Sequence, residues 1–205
     1  MSNITMDKKV SAEDEDLKYV LLCQKGDTEA YAILVERHQK RMLNIAFRMV
    51  GNYDEACDVT QDAFVAAYKS IGKFKAEAKF STWLYRIVIN HSKNRLKKLR
   101  GLGASEDIFF GDSGDGKTNC SGNQMVEGNH PGVLMEKRER DEQVQKCITS
   151  LDEDYREVLV LRDIEGFSYD EIRGMLKIPD GTVKSRLSRA RNALKDCLTK
   201  IIGDL

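Results

Sequence analysis

Between Thr182 and Lys195 the chain carries Lys184, Arg186, Arg189 and Arg191 together with Ser185, Ser188 and Asn192, and no carboxylate. Guanidinium, ammonium, hydroxyl and amide groups at that density donate hydrogen bonds to phosphate oxygens and to base edges. This is recognition chemistry; it breaks no bond. Val183, Leu187, Ala190 and Leu194 recur at four, three and four residues, one narrow apolar stripe on a helix. At about 100° per residue, Ser185, Ser188, Arg189 and Asn192 lie opposite that stripe, and Lys184, Arg186, Arg191 and Lys195 flank it.

Two further sets of side chains fall in register. Asp54, Asp58 and Asp62 stand four apart with Gln61 beside them, an acidic ridge on one helix face. Such a row is a solvated face, a dock for a basic protein, or the metal site of a nuclease. A regular helix with no nearby histidine or glycine-rich phosphate loop argues against a two-metal site. Arg86, Asn90, Lys93, Lys97 and Arg100 recur at four, three, four and three, a polar basic edge fit to lie against phosphates. Trp83 and Tyr85, near its start, are expected to be core aromatics, and His38 a core-edge residue.

The elements that position these groups are all helical. Ser168 and Glu171 make a capping box for a short helix that stops at Lys177, because Ile178 precedes Pro179. Asp180-Gly181 makes the turn and Thr182 opens the basic helix. A short helix, a tight turn and a basic second helix are the pattern of a helix-turn-helix presented to a major groove. A solvated amphipathic hairpin is the alternative. Upstream, helices are expected from Asp14 to Lys25, from an Asp27 cap to Gly51, from Asn52 to Ile71 and from a Ser81 cap through Arg100. Downstream, one runs from Leu134 to Thr149, and Ser150 with Glu153 caps another that ends at Gly166. Gly174, inside the first helix of the pair, suggests close helix packing.

The 33 basic and 33 acidic residues cancel, but they are segregated. Leu84 to Arg100 has no acid, whereas the glycine-rich stretch that follows is acidic. Segregated charge predicts separate surfaces with separate partners. The predicted fold is all-α, two small helical domains (14–100 and 134–205) joined by a flexible acidic linker (101–133) after a disordered tail (1–13). The C-terminal domain contains the helix-turn-helix. Cys23, Cys57, Cys120, Cys147 and Cys197 are dispersed, without a C-x-x-C pair, and the histidines are far from them. No metal or cofactor site is expected, and the thiols read as small buried residues in a reducing compartment. The acidic N-terminus shows no signal peptide, and no apolar run approaches the ~18 residues of a membrane span. A soluble cytoplasmic protein is expected.

Three blocks taken together resemble the bacterial RNA polymerase sigma factors of the extracytoplasmic-function group: DEACDVTQDAFVAAYKSIGKF, KFSTWLYRIVINHSKNRL and YREVLVLRDIEGFSYDEIRGMLKIPDGTVKSRLSRARNAL. Each is weakly specific alone; their order and separation carry the resemblance. It implies a non-enzymatic transcription initiation factor with no small-molecule substrate, under control of an anti-sigma factor that can be membrane-tethered. Asp54, Asp58, Gln61 and Asp62 would then dock on core polymerase. Lys73, Phe74, Lys75, Ala76, Lys79 and Phe80 would form the loop that captures a flipped base of the minus-ten element, with Arg86, Asn90, Lys93 and Lys97 on the adjacent backbone. Ser168, Thr182, Lys184, Ser185, Ser188 and Arg189 would face the minus-thirty-five element, with Arg186 and Arg191 on phosphates. The tandem tryptophans that primary sigma factors use for strand opening are replaced by Arg86 and Ile87. A conventional helix-turn-helix operator-binding regulator remains the alternative, and it leaves the first basic helix and its loop unexplained.

Overall fold

A computed structural model describes residues 15–102 and 131–203. The expected tail and most of the expected linker lie outside the described residues. The two ends of that linker are helical instead, because α4 runs to Leu102 and α5 begins at Pro131.

The class is all-α, as expected, with no strand among the described residues. The first lobe holds α1 (Glu15–Gln24), α2 (Thr28–Val50), α3 (Tyr53–Ser70), a 3₁₀ turn (Ile71–Lys73) and α4 (Phe80–Leu102). The second holds α5 (Pro131–Ser150), α6 (Glu153–Leu159) running into a π turn (Val160–Ile164), α7 (Tyr169–Leu176) and α8 (Asp180–Ile202).

Local chemistry sets most of the boundaries. Asp27 and Asn52 cap α2 and α3 by accepting from the amides of Ala30 and Glu55 at 3.1 and 3.0 Å. Each such cap contributes about 1 kcal/mol. The Ser168–Glu171 capping box is formed in both directions. Gly51 ends α2 at φ +84°, and a Cβ there would fall 2.6 Å from the Thr149 methyl, so α5 approaches a position that tolerates no side chain.

Several boundaries differ from the sequence reading. Helix α4 begins at Phe80, so Ser81 is inside it; Phe80 is fully buried beneath Phe74 and Trp83, and that packing rather than a hydroxyl cap starts the helix. Ser150 donates to the Cys147 carbonyl at 2.8 Å, which spends its hydroxyl and leaves Asp152 as the N-cap of α6. Helix α8 starts at Asp180, two residues before Thr182. A Cβ on Gly174 would meet nothing within 4 Å, so close packing does not account for that glycine. Cys147 and Cys197 are joined in a disulfide, contrary to the expectation of dispersed thiols.

The two lobes share one apolar core rather than standing apart. Leu34, Met42, Ile45, Ala46 and Met49 of α2 are fully buried, as are Val158 and Leu161 of the second lobe. Arg156, 3 % exposed, donates to the carbonyls of Met49 in α2 and of Thr149 and Leu151. Gln145 of α5 donates to the Phe47 carbonyl at 3.0 Å and accepts from Arg48 at 2.8 Å. Tyr85 meets Phe167 edge-on, ring centroids 4.7 Å apart, and donates to Glu165 at 3.2 Å. Glu165 also accepts from Arg41 at 2.6 Å. Buried polar groups with this many partners give the lobes a defined mutual orientation.

Candidate nucleic-acid interface

On α3 the acids stand where the spacing puts them. Asp54, Asp58, Gln61 and Asp62 are all exposed, while Val59, Ala63, Phe64 and Ala67 are buried on the opposite face. Asp58 keeps 63 % of its side chain exposed and faces Arg95 at 3.4 Å, beside a Glu55–Arg95 ion pair that ties α3 to α4. Next to Gln61 lies a groove the sequence reading missed. Tyr31 and Val35 of α2 line it with Phe64, Val65 and Tyr68 of α3, enclosing about 480 Å³. Val65 and Tyr68 remain 47 % and 43 % exposed. Their outward position beside an acidic ridge was the available signal. Acids beside an uncovered apolar strip have the make-up of a surface that a protein partner could cover; among the described residues no group of three or more His, Cys, Asp or Glu is placed to hold a metal ion.

The loop from Lys73 to Lys79 stands over an aromatic base. Phe74, Phe80 and Trp83 form a triangle with centroids 5.2 to 6.1 Å apart. Lys73, Lys75 and Lys79 are exposed above it, and Ala76 takes a left-handed φ of 54°, which turns the loop sharply. Phe80 has no exposed surface, so it supports the loop from beneath and offers nothing to a ligand directly. Trp83 is half-buried and lines the cleft, whereas Tyr85 is a core ring as expected. The cleft measures about 690 Å³ and is walled by the loop, Thr82, Trp83 and Arg86 on one side. Asp170, Glu171, Gly174 and Met175 of α7 form the other side. An aromatic floor with lysines above can take a stacked base and its phosphate.

The basic edge of α4 leads out of this cleft. Arg86, Asn90 and Lys97 are exposed, but Lys93 is held by the second lobe. Its ammonium lies 2.6 Å from Glu157 and 3.8 Å from Asp154. Burial, offset in part by Lys93, pushes the Glu157 carboxyl above its ordinary range.

On α8 the apolar stripe is confirmed, with Val183, Leu187 and Ala190 buried against α6 and α7. Thr182, Lys184, Ser185, Ser188 and Arg189 face outward together. The Ser168 hydroxyl is committed to its cap, and that of Ser185 donates to the Thr182 carbonyl at 3.1 Å. Most of the cations have internal partners. Lys184 pairs with Asp180 at 2.7 Å, Arg186 with Asp154 at 2.5 Å, and Arg191 with both oxygens of Asp163 at 2.6 and 2.9 Å. Arg189 instead reaches the Tyr155 hydroxyl at 3.4 Å, and among the described residues it has no ion-pair partner. It is the guanidinium on this face with the least to give up on meeting a base.

The chain thus presents two cationic, hydrogen-bonding surfaces on different lobes and an acidic-apolar strip on a third face. No helix among the described residues is long and apolar enough to cross a membrane. Residues 34–101 match the family description Sigma-70 region 2, and residues 141–194 match Sigma-70 region 4. The chain is similar to the RNA polymerase sigma-H factor of Pseudomonas aeruginosa, 34 % identical over 94 % of this chain and 98 % of that one. It is also similar to the ECF RNA polymerase sigma-E factor of Escherichia coli K12, 37 % identical over 87 % of this chain and 92 % of that one. Its fold is similar to a solved structure of the sigma factor RpoE in complex with the anti-sigma factor NepR from Bartonella quintana. That match has a TM-score of 0.62 and 22 % identity, and covers 84 % of this chain and 98 % of that one.

Proposed function

The chain belongs to the extracytoplasmic-function group of RNA polymerase sigma factors, and from that membership we propose how its surfaces direct promoter-specific transcription initiation. The α3 ridge and its apolar groove bind core polymerase, with Asp58 and Asp62 meeting a basic helical surface and Val65 and Tyr68 covered by apolar side chains. The cleft below Lys73 to Lys79 takes a base turned out of the minus-ten element, because a stacked base cannot be read on its Watson–Crick edge. Arg86, Asn90, Lys93 and Lys97 hold the backbone beside it. The outward face of α8 reads the minus-thirty-five element in the major groove. No step is catalytic, and the work is done in the cytoplasm.

The observation that carries this reading is the pairing of a cationic loop over an aromatic floor on the first lobe, its cleft closed on the far side by α7, with a helix-turn-helix on the second. An operator-binding regulator needs the second and has no use for the first. Elements named for positions ten and thirty-five lie about 25 base pairs apart, roughly 85 Å at ~3.4 Å per step. Lobes that share one core cannot span that distance. The compact arrangement is therefore the resting form, and core polymerase holds the lobes apart. The same buried interface gives an anti-sigma factor something to stabilise.

The test is association with core RNA polymerase by gel filtration. The chain co-elutes with core, and Asp58→Arg does not, although its circular dichroism and melting temperature match the parent. Equal co-elution of the variant would remove the α3 ridge from the mechanism.

A further inference from the structure

We propose that Cys147 and Cys197 form an oxidation-responsive dithiol, a modification site that closes a covalent ring around the whole DNA-reading unit. The two residues are 50 positions apart, with Cα atoms 5.7 Å apart, inside the range a disulfide bridges without backbone movement. The ring they close contains α6, α7, the turn at Pro179 and the basic face of α8.

The placement gives the bond something to do. The fully buried residues of α8 are Val183 and Ala190, with Leu187 2 % exposed, and beyond Ala190 no residue described on this helix is buried. Leu194, Cys197 and Leu198 are half-covered, and the residues between them are exposed. Beyond the partly buried Leu194, the last three turns of α8 therefore have little apolar docking of their own, and the sulfur pair adds a covalent tie to their packing on α5. Cys147 is fully buried at that junction, and Gln145, two residues before it, anchors α5 to the Phe47 carbonyl. In the reduced form the end of α8 frays; in the oxidised form it is pinned, and the unfolded chain loses the entropy of an open 50-residue loop.

The chemistry needs a two-electron oxidant, and a hydroperoxide supplies it. Cys197 is the more exposed sulfur and reacts first. It attacks the peroxide, the O–O bond breaks, an S–O bond forms, and its thiol proton leaves in the departing water or alcohol. Cys147 then attacks the Cys197 sulfur, the S–S bond forms as the S–O bond breaks, and the hydroxyl leaves as water with the second thiol proton. Both thiols are oxidised and the peroxide is reduced; a dithiol reductant reverses the sequence by exchange. Cys23 and Cys57 lie on α1 and α3 of the other lobe and take no part.

The experiment uses the full chain, reduced with dithiothreitol and then titrated with hydrogen peroxide. Differential alkylation with peptide mass spectrometry follows each cysteine, and thermal unfolding follows the fold. Peroxide links Cys147 to Cys197 before it modifies Cys23 or Cys57, the melting temperature rises on the order of 10 °C, and dithiothreitol returns both. Cys197→Ala, at a half-covered position where folding is tolerant, abolishes link and shift together; Cys147→Ala does the same. The proposal fails if both residues still alkylate as thiols after peroxide, if the link forms with no thermal shift, or if Cys197→Ala keeps the shift.

Discussion

The Lys93 ammonium lies 2.6 Å from the Glu157 carboxylate, across the boundary between the two lobes. Glu157 is 2 % exposed and stands 3.9 Å from Arg186 on its other side. One acid therefore faces a cation from each of the two surfaces assigned to DNA, where a phosphate would otherwise stand. The closed form is held by contacts that promoter binding, as proposed, replaces.

Lys93→Met leaves that buried carboxylate with only the more distant Arg186, 3.9 Å away. Removing one partner of a fully buried pair costs about 3–5 kcal/mol; with 27 % of the Lys93 side chain exposed, about 2 kcal/mol of closure is the expected loss. Small-angle scattering should show a larger radius of gyration for this variant at neutral pH. Burial already raises the Glu157 pKa from its ordinary 4.5, so the closed form holds a proton that the open form releases. Closure is thus favoured below that value and lost as pH rises through the shifted one. The variant should compact again on acidification below pH 4.5, and an unchanged radius at every pH would contradict the lock.

Arg189→Ala should relax selectivity at one position of the upstream element, at a cost of about 1–3 kcal/mol there. Initiation from a set of promoters substituted base by base measures it. A uniform loss over all of them would make Arg189 a phosphate contact instead.

Asp180→Asn releases Lys184 from its 2.7 Å ion pair at the start of α8. Affinity for upstream duplex should rise several-fold, and the slope of log affinity against log salt should steepen by about one. The melting temperature should fall slightly, since an acid at a helix N-terminus contributes about 0.3–1 kcal/mol. Unchanged salt dependence would mean that Lys184 does not meet phosphate.

Gly174→Ala adds a Cβ into open space within α7. The expected gain is about 1 kcal/mol from helix propensity, read as a rise of a few degrees in melting temperature. A fall would show that the glycine serves a backbone role which its geometry does not display.

What was legible in the sequence was what periodicity records. The stripe Val183, Leu187 and Ala190, the inward face Val59, Ala63 and Phe64, and the capping box at Ser168 follow from spacing within one helix, and the structure places them accordingly. What was hidden depends on residues distant in sequence. Nothing near Lys93 points to Glu157, and nothing near Cys147 points to Cys197, because helical spacing carries no information about which faces meet. Ser81 looked like a cap because a hydroxyl preceded a helical pattern, yet the aromatic packing of Phe80 moved the start. The cations of α8 looked available for phosphate until Asp163 and Asp154 folded onto Arg191 and Arg186.

The most direct measurement of the central claim is transcription by core RNA polymerase on genomic templates, with and without the purified chain, the RNA 5′ ends being sequenced. Start sites that appear with the chain, share sequence near minus ten and minus thirty-five, and vanish with Asp58→Arg are the predicted result. Transcripts that begin at the same positions without the chain, or none that depend on it, would contradict the account.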